Sequence, residues 1–369
     1  MAAATRQTAK RPALAVAIAL TLAAGCLRAA GEEAAPPPGG GFVIAPVIYY
    51  TPETRIAWGF VGIHYFRFGA AGRATRLSHY RFNVIRTQNR QSIAQVDYEL
   101  YLPGGGLLLD GTARYSYYPD RFFGIGNRTA EEDRENYVSG NWRLQVNLQR
   151  RWGENIYAGL HVETQSLQMR STEAGGMLEA GGVSGSAGGS LAGLGLLAKW
   201  DSRDNTFSSS RGVYAALAVN RFFRALGGDH AYGQLTLDAR GYWPLGRSVL
   251  ALQGIFRSVW GDCPFQALPR FGGLNLLRGY FDGRYRDRAL LALQGEYRLP
   301  LGRRVGLCAF AGAAQVQKNP VLLELDGFHA AGGAGVRYKF NPRENLVVRL
   351  DVGFAGSQPA FYLTFAEAF

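Results

Sequence analysis

Residues 156–165 read IYAGLHVETQ. Ile156, Ala158, Leu160 and Val162 fall on one face. Tyr157, Gly159, His161, Glu163 and Gln165 fall on the other. A period of two belongs to a β-strand with one apolar side. The pattern returns along the chain. Leu235, Leu237 and Ala239 oppose Gln234, Thr236, Asp238 and Arg240. Leu291, Leu293, Tyr297 and Leu299 oppose Gln294, Glu296 and Arg298. Leu346, Val348, Leu350, Val352 and Phe354 oppose Arg349 and Asp351.

A soluble sandwich also alternates, so other features decide. The polar faces carry formal charges in mid-strand, as a wet lumen allows. The segments run about 10–15 residues, long for a sandwich and right for tilted membrane strands. Aromatic pairs end several of them: Tyr49-Tyr50, Tyr117-Tyr118, Phe222-Phe223 and Tyr242-Trp243. A sheet in hydrocarbon must close on itself, because open edges there go unsatisfied. The expected fold is all-β, a 16-stranded antiparallel transmembrane β-barrel. Its strands are expected to start near residues 42, 55, 76, 91, 107, 136, 154, 190, 211, 230, 248, 287, 304, 326, 346 and 359. Connections after odd strands include the long ones (119–135, 171–189, 261–286, 318–325), which belong outside the cell. Those after even strands are mostly short. The Gly-rich run 171–189 reads as a mobile surface loop.

Composition agrees. Gly supplies 49 of 369 residues, aromatics 12% and charged residues only 18%. That is too aromatic and too poor in charge for a disordered chain. The net charge is +12, but the basic residues are scattered over alternating segments. Nucleic-acid binding would need them clustered on one element, so no nucleic-acid partner is expected.

The N-terminus reads as an export signal over residues 1–30. Arg6, Lys10 and Arg11 precede a short apolar run, Ala13 to Leu22, and small residues follow. Ala23-Ala24-Gly25-Cys26 resembles a lipoprotein cleavage site that would leave Cys26 acylated. An ordinary cut near Gly31 is the alternative. Residues 31–41 read as a short Pro/Gly linker, and 42–369 as the barrel.

Several local stretches resemble one family. They are Pro46–Gly59 (PVIYYTPETRIAWG), Phe122–Asn127 (FFGIGN), Trp200–Asn205 (WDSRDN) followed by Arg211-Gly212, and Leu277-Arg278-Gly279-Tyr280. Together they resemble the BamA/TamA family of outer-membrane assembly barrels, also called the bacterial surface antigen family, over about residues 42–369. The resemblance implies that the sixth outer loop folds into the lumen, with Arg278 pairing to acids on the inner wall. Alternation points Glu296 inward, making it the expected partner. Gly279 would permit a close backbone turn, and Tyr280 would pack on the inner wall. The family's strand-thirteen Asp is absent: Phe310–Ala314 reads FAGAA, with Gly312 in its place. Members with known assembly roles carry periplasmic POTRA domains before the barrel. Here only a short linker is expected, as in a barrel-only branch. Phe361, Leu363, Phe365 and Phe369 resemble the signal read by the outer-membrane assembly machinery, with Glu367 interrupting the apolar face.

Signs of catalysis are scarce. The sequence holds no G-x-S-x-G, H-E-x-x-H or P-loop, and neither a cofactor nor a metal is expected. Trp200, Asp201, Arg203, Asp204 and Asn205 read as a turn whose polar groups bond backbone and each other. Cys263 and Cys308 are open to a disulfide or to two free thiols. The resemblance implies an outer-membrane insertase or translocase whose partners are membrane lipid, the assembly machinery and unfolded outer-membrane proteins. It would act through a weak seam between the first strand (42–50) and the last (359–369), eased by Gly353 and Gly356. The alternatives are a passive anion-favouring channel and a structural or accessory barrel.

Overall fold

The computed structural model describes residues 40–68, 78–102, 106–206, 208–341, 346–356 and 358–369. The export segment 1–30, Cys26 and linker residues 31–39 lie outside them. Gly40 and Gly41, expected to end the linker, instead open the first strand.

Sixteen antiparallel strands close into a barrel. They are β1 (Gly40–Thr51), β2 (Arg55–Phe66), β3 (Ser78–Thr87), β4 (Ser92–Tyr101), β5 (Leu107–Phe122), β6 (Glu135–Trp152), β7 (Ile156–Thr172) and β8 (Gly189–Asp201). They continue as β9 (Gly212–Phe222), β10 (Tyr232–Leu245), β11 (Ser248–Gly261), β12 (Ala289–Pro300), β13 (Val305–Gln317), β14 (His329–Asn341), β15 (Leu346–Phe354) and β16 (Pro359–Phe365). Each starts close to its expected residue. The largest displacement is β14, at His329 rather than 326. Every strand pairs with its sequence neighbours, and β1 meets β16.

The alternation has the expected consequence. Leu160 and Leu196 point outward and are 57% and 64% exposed, and Phe60, Leu148, Leu293 and Val336 are exposed beside them. Such a belt suits hydrocarbon rather than water. Trp152, Trp200 and Trp243 ring the rim of short turns, while Trp58 and Trp260 sit toward the rim of long loops. The tightest turn is the two-residue Gly246-Arg247 link between β10 and β11, where Gly246 takes φ 62°. A hairpin of that length needs positive φ.

Residues 173–188, in the run expected to be a mobile surface loop (171–189), are tied to the rim at Leu178 and Gly185. Leu178 is buried with Phe122, Tyr137 and Phe265, forming an apolar cap under the long-loop rim. The Leu178 N–H donates to the Glu135 carboxylate at 3.2 Å, and Gln266 Nε2 donates to the Gly185 carbonyl at 2.8 Å. Leu178, with Val183 packed beside it, gives this glycine-rich run something to bury, which composition alone conceals.

Candidate functional site

The longest connection, loop 6 (residues 262–288), enters the lumen. Arg270-Phe271 pairs with Tyr285-Arg286 at its neck. Arg270 clasps Asp282 with two hydrogen bonds of 3.1 Å. Below the neck the chain turns through Leu277 (φ 55°) and Gly279 (φ 127°). Inner-wall groups then catch its backbone. The Leu277 N–H donates to Gln294 Oε1 at 3.2 Å, and Gln294 Nε2 donates to the Asn275 carbonyl at 2.8 Å. Arg349 donates to the Leu274 carbonyl at 3.1 Å and to Asn275 Oδ1 at 2.9 Å.

Arg278, at the tip, is 2% exposed. Its guanidinium pairs with Glu296 on β12 and with Asp351 on β15. It lies over the Phe310 ring of β13, 3.6 Å from the centroid. Further pairs extend the network. Arg298 holds Glu296 at 2.7 Å, Arg337 holds Glu367 at 2.8 Å and also pairs with Asp351, and Arg349 stands 3.6 Å from Asp351. Four guanidiniums thus meet three carboxylates among the described residues. A group of this kind is costly to break. Deleting one member strands the others as buried charges, at about 3–5 kcal/mol.

The sequence pointed to Arg278 and Glu296, but not to the other three guanidiniums or to the other two carboxylates. Asp351 was already on the polar face of its strand. Only barrel closure brings it within reach of a loop 73 residues away in sequence. Glu367 looked like a flaw in an apolar face.

Two glycines let the loop sit close. A Cβ on Gly353 would stand 2.6 Å from the Arg278 carbonyl oxygen, and one on Gly279 would meet the Phe354 carbonyl carbon at 2.8 Å. Gly353 therefore seats the loop, a tighter demand than the seam flexibility expected of it. Gly312, which stands where the family resemblance leads one to expect Asp, is also closely approached. A Cβ there would lie 2.8 Å from both the Leu293 carbonyl oxygen and Gln294 Cβ, and 3.0 Å from the Leu277 side chain. Tyr280 packs by its ring edge on Phe271, at 5.7 Å, and its hydroxyl donates to the Ala330 carbonyl at 3.3 Å.

The Trp200–Asn205 stretch lies at the short-turn rim after β8. Trp200 faces outward and is exposed. Arg203 grips Asp201 with two bonds of 2.8 Å and lies over the Tyr214 ring at 4.6 Å. The Ser210 N–H donates to Asp204 at 2.9 Å, and the Ser208 N–H donates to Asn205 at 2.9 Å. Burial opposes ionisation of Asp204, but the Ser210 hydroxyl and the Ser210 and Arg211 N–H groups outweigh it and hold the carboxyl below its ordinary value. The same turn reaches the lumen: Arg298 donates to the Ser209 carbonyl at 3.2 Å.

Phe361, Leu363 and Phe365 share the outer face of β16, but Phe369 does not join them. Ala366 takes φ 62° and the chain leaves the strand. Phe369 is buried inside against Tyr242 and Ala251. Glu367 supplies the physical reason, since a carboxylate cannot face hydrocarbon and here it finds Arg337 instead. Cys263 and Cys308 are both free and buried. Burial pushes the Cys263 thiol up to about 12.

Comparison with known proteins adds the following. The model of the Omp85 superfamily domain matches residues 78–354. BamA from Haemophilus ducreyi lacking POTRA domains 1–3 aligns over 89% of this chain and 70% of its own, with a TM-score of 0.59 and 14% identity. CdiB from Acinetobacter baumannii aligns over 89% of this chain and 59% of its own (TM-score 0.55, 11% identity). CdiB from Escherichia coli aligns over 90% and 63% (TM-score 0.56, 12% identity). These likenesses concern the fold. No curated protein matches the sequence.

Proposed function

The chain belongs to the Omp85 superfamily, and on that premise we propose that it is a bacterial outer-membrane barrel that inserts or translocates proteins by parting β1 from β16. One observation carries the reading. Among the described residues, β1 and β16 meet at a single facing pair, Tyr50 and Leu363. The next shortest pairing, β15 with β16, runs along seven residues. β1 is paired to β2 along its full length, but below Tyr50 its other edge shows no ladder pairing to β16 among the described residues. An unpaired edge in hydrocarbon leaves N–H and C=O groups unsatisfied. An incoming strand would satisfy them by adding to the sheet.

The reading places the protein in the outer membrane, reached through the export signal. It takes lipid and unfolded outer-membrane proteins as partners, and the assembly machinery as helper in its own insertion. It asks no bond-making chemistry of the chain. The anion-channel reading is weakened by the lumen itself, which loop 6 crosses and the Leu178–Phe265 cap covers.

The test is an insertion assay. The purified barrel is placed in liposomes and an unfolded outer-membrane protein is added. Folded client is scored by protease protection against empty liposomes. Acceleration is expected from the native protein and from a reduced Tyr50→Cys/Leu363→Cys variant, and is expected to vanish when that pair is oxidised. Full activity with the seam stapled, or none beyond empty liposomes, overturns the proposal.

A further inference from the structure

We propose that residues 279–282 of loop 6 form a strap across the seam, joining β16 to the β1–β2 turn from inside the barrel through Tyr362 and Glu53. At one end the Gly279 N–H donates to the Tyr362 hydroxyl at 3.0 Å. Tyr362 is fully buried and projects inward from β16. Three residues on, the Asp282 N–H donates to Glu53 Oε1 at 2.9 Å. Glu53 sits in the tight turn joining β1 to β2 and is 6% exposed. The loop therefore touches both banks of the seam within four residues, at the height where Tyr50 and Leu363 make its single pair.

Both ends are anchored. On the β16 side, Arg278 is fixed by Glu296 and Asp351, and the loop backbone rests on Gly353 of β15. On the β1 side, Asn89 Nδ2 and Gln91 Nε2 both donate to the Glu53 carbonyl, at 2.6 and 3.2 Å, tying the turn to the β3–β4 link. Phe281, between the two strap bonds, lies under Arg121 at 5.0 Å and edge-on to Phe123 at 5.8 Å. The strap thus ties β15 and β16 to the bank formed by β1 to β5.

The β1 end is also where acid acts. Asp282 of the loop and Asp120 of β5 are the carboxylates nearby, with Asp282 held by Arg270. Arg90 and Arg121 line the same cavity. Tyr50, Tyr118 and Tyr362 approach from β1, β5 and β16. Burial, reinforced by Asp282, raises the Glu53 carboxyl to about 7 despite the donors it gains. Once the strap lifts, Glu53 meets water and titrates as an ordinary carboxylate, at about 4.3. The closed state therefore holds more protons than the open one. Acid favours closure, and raising the pH through 7 favours release.

This inference rests on the reading of the seam as the moving part, and its test needs no client. Nitroxides go on outward-facing Ile44→Cys and Val336→Cys, with Cys26, Cys263 and Cys308 replaced. Distances across the seam are read in liposomes by pulsed electron resonance. The open fraction is expected to rise on the order of tenfold from pH 5.5 to 8. Glu53→Gln keeps the acceptor and removes the charge, so it should stay closed at both pH values. Glu53→Ala and Tyr362→Phe each remove one strap acceptor and should widen the seam at both. Unchanged distances in both of these variants would overturn the strap. So would a native distribution indifferent to pH. A seam that responds as described in a barrel that inserts no client would sink the proposed function and leave the strap standing.

Discussion

Arg298 and Phe369 close the lower lumen together. The guanidinium lies over the Phe369 ring, 5.6 Å from its centroid, and donates to the Phe369 carbonyl oxygen at 3.1 Å. The residues after β16 are thereby fastened to β12 rather than to β1. Phe369→Ala should remove this packing at about 3 kcal/mol. Denaturant unfolding in detergent would measure it. Protease added from the short-turn side should also clip the freed residues, where the native chain resists.

Arg278→Ala leaves Glu296 and Asp351 near each other on the inner wall with one cation fewer. A loss of about 3–5 kcal/mol is expected. Arg278→Lys should recover only part of it, because one ammonium cannot span two carboxylates as a planar guanidinium does. Glu296→Gln/Arg278→Met, which removes both charges, should be milder than Arg278→Ala. Unfolding midpoints of the three variants decide this, and equal losses for Lys and Ala would refute the shared-pair geometry.

Gly353→Ala drives a methyl into the Arg278 backbone. It should destabilise by about 1–3 kcal/mol, the usual range for overpacking. Gly302, in the turn after β12, has open space around it, so Gly302→Ala should change stability by less than about 0.5 kcal/mol. The contrast between the two alanines is the measurement.

Neither thiol should react in the folded barrel. With its thiol pushed up to about 12, Cys263 is almost wholly protonated at pH 8, and both sulfurs are buried. An aromatic disulfide reagent should label them only after unfolding. Rapid labelling of the native protein would show that the loop cap opens on the timescale of the reaction.

Strand number and strand starts were legible in the sequence because a period of two is local: each residue declares its face to its neighbours. The tip of loop 6 was legible for another reason, the family resemblance around Arg278. What stayed hidden depended on closure. Asp351 became a partner only when β15 came round to face the loop, and the Tyr362–Gly279 contact needs residues 83 apart in sequence. The inward turn at Ala366 was hidden differently. Phe361 to Phe369 looks like one apolar face, and a single positive φ ends it. The glycine-rich run 173–188 hid its anchor, because composition does not show that Leu178 is buried there.

The unequal strands have a consequence for the bilayer. β6 runs 18 residues, β15 nine and β16 seven. At about 3.3 Å per residue and a tilt of about 45°, β16 spans only ~16 Å, against a hydrocarbon core of ~30 Å. A lipid bilayer has one resting thickness and this wall does not. Acyl chains beside β15 and β16 must compress to meet it, while those beside β6 need not. Such hydrophobic mismatch costs fractions of a kcal/mol per Å. The lipid is therefore already strained along the one arc of the wall where the sheet is least paired.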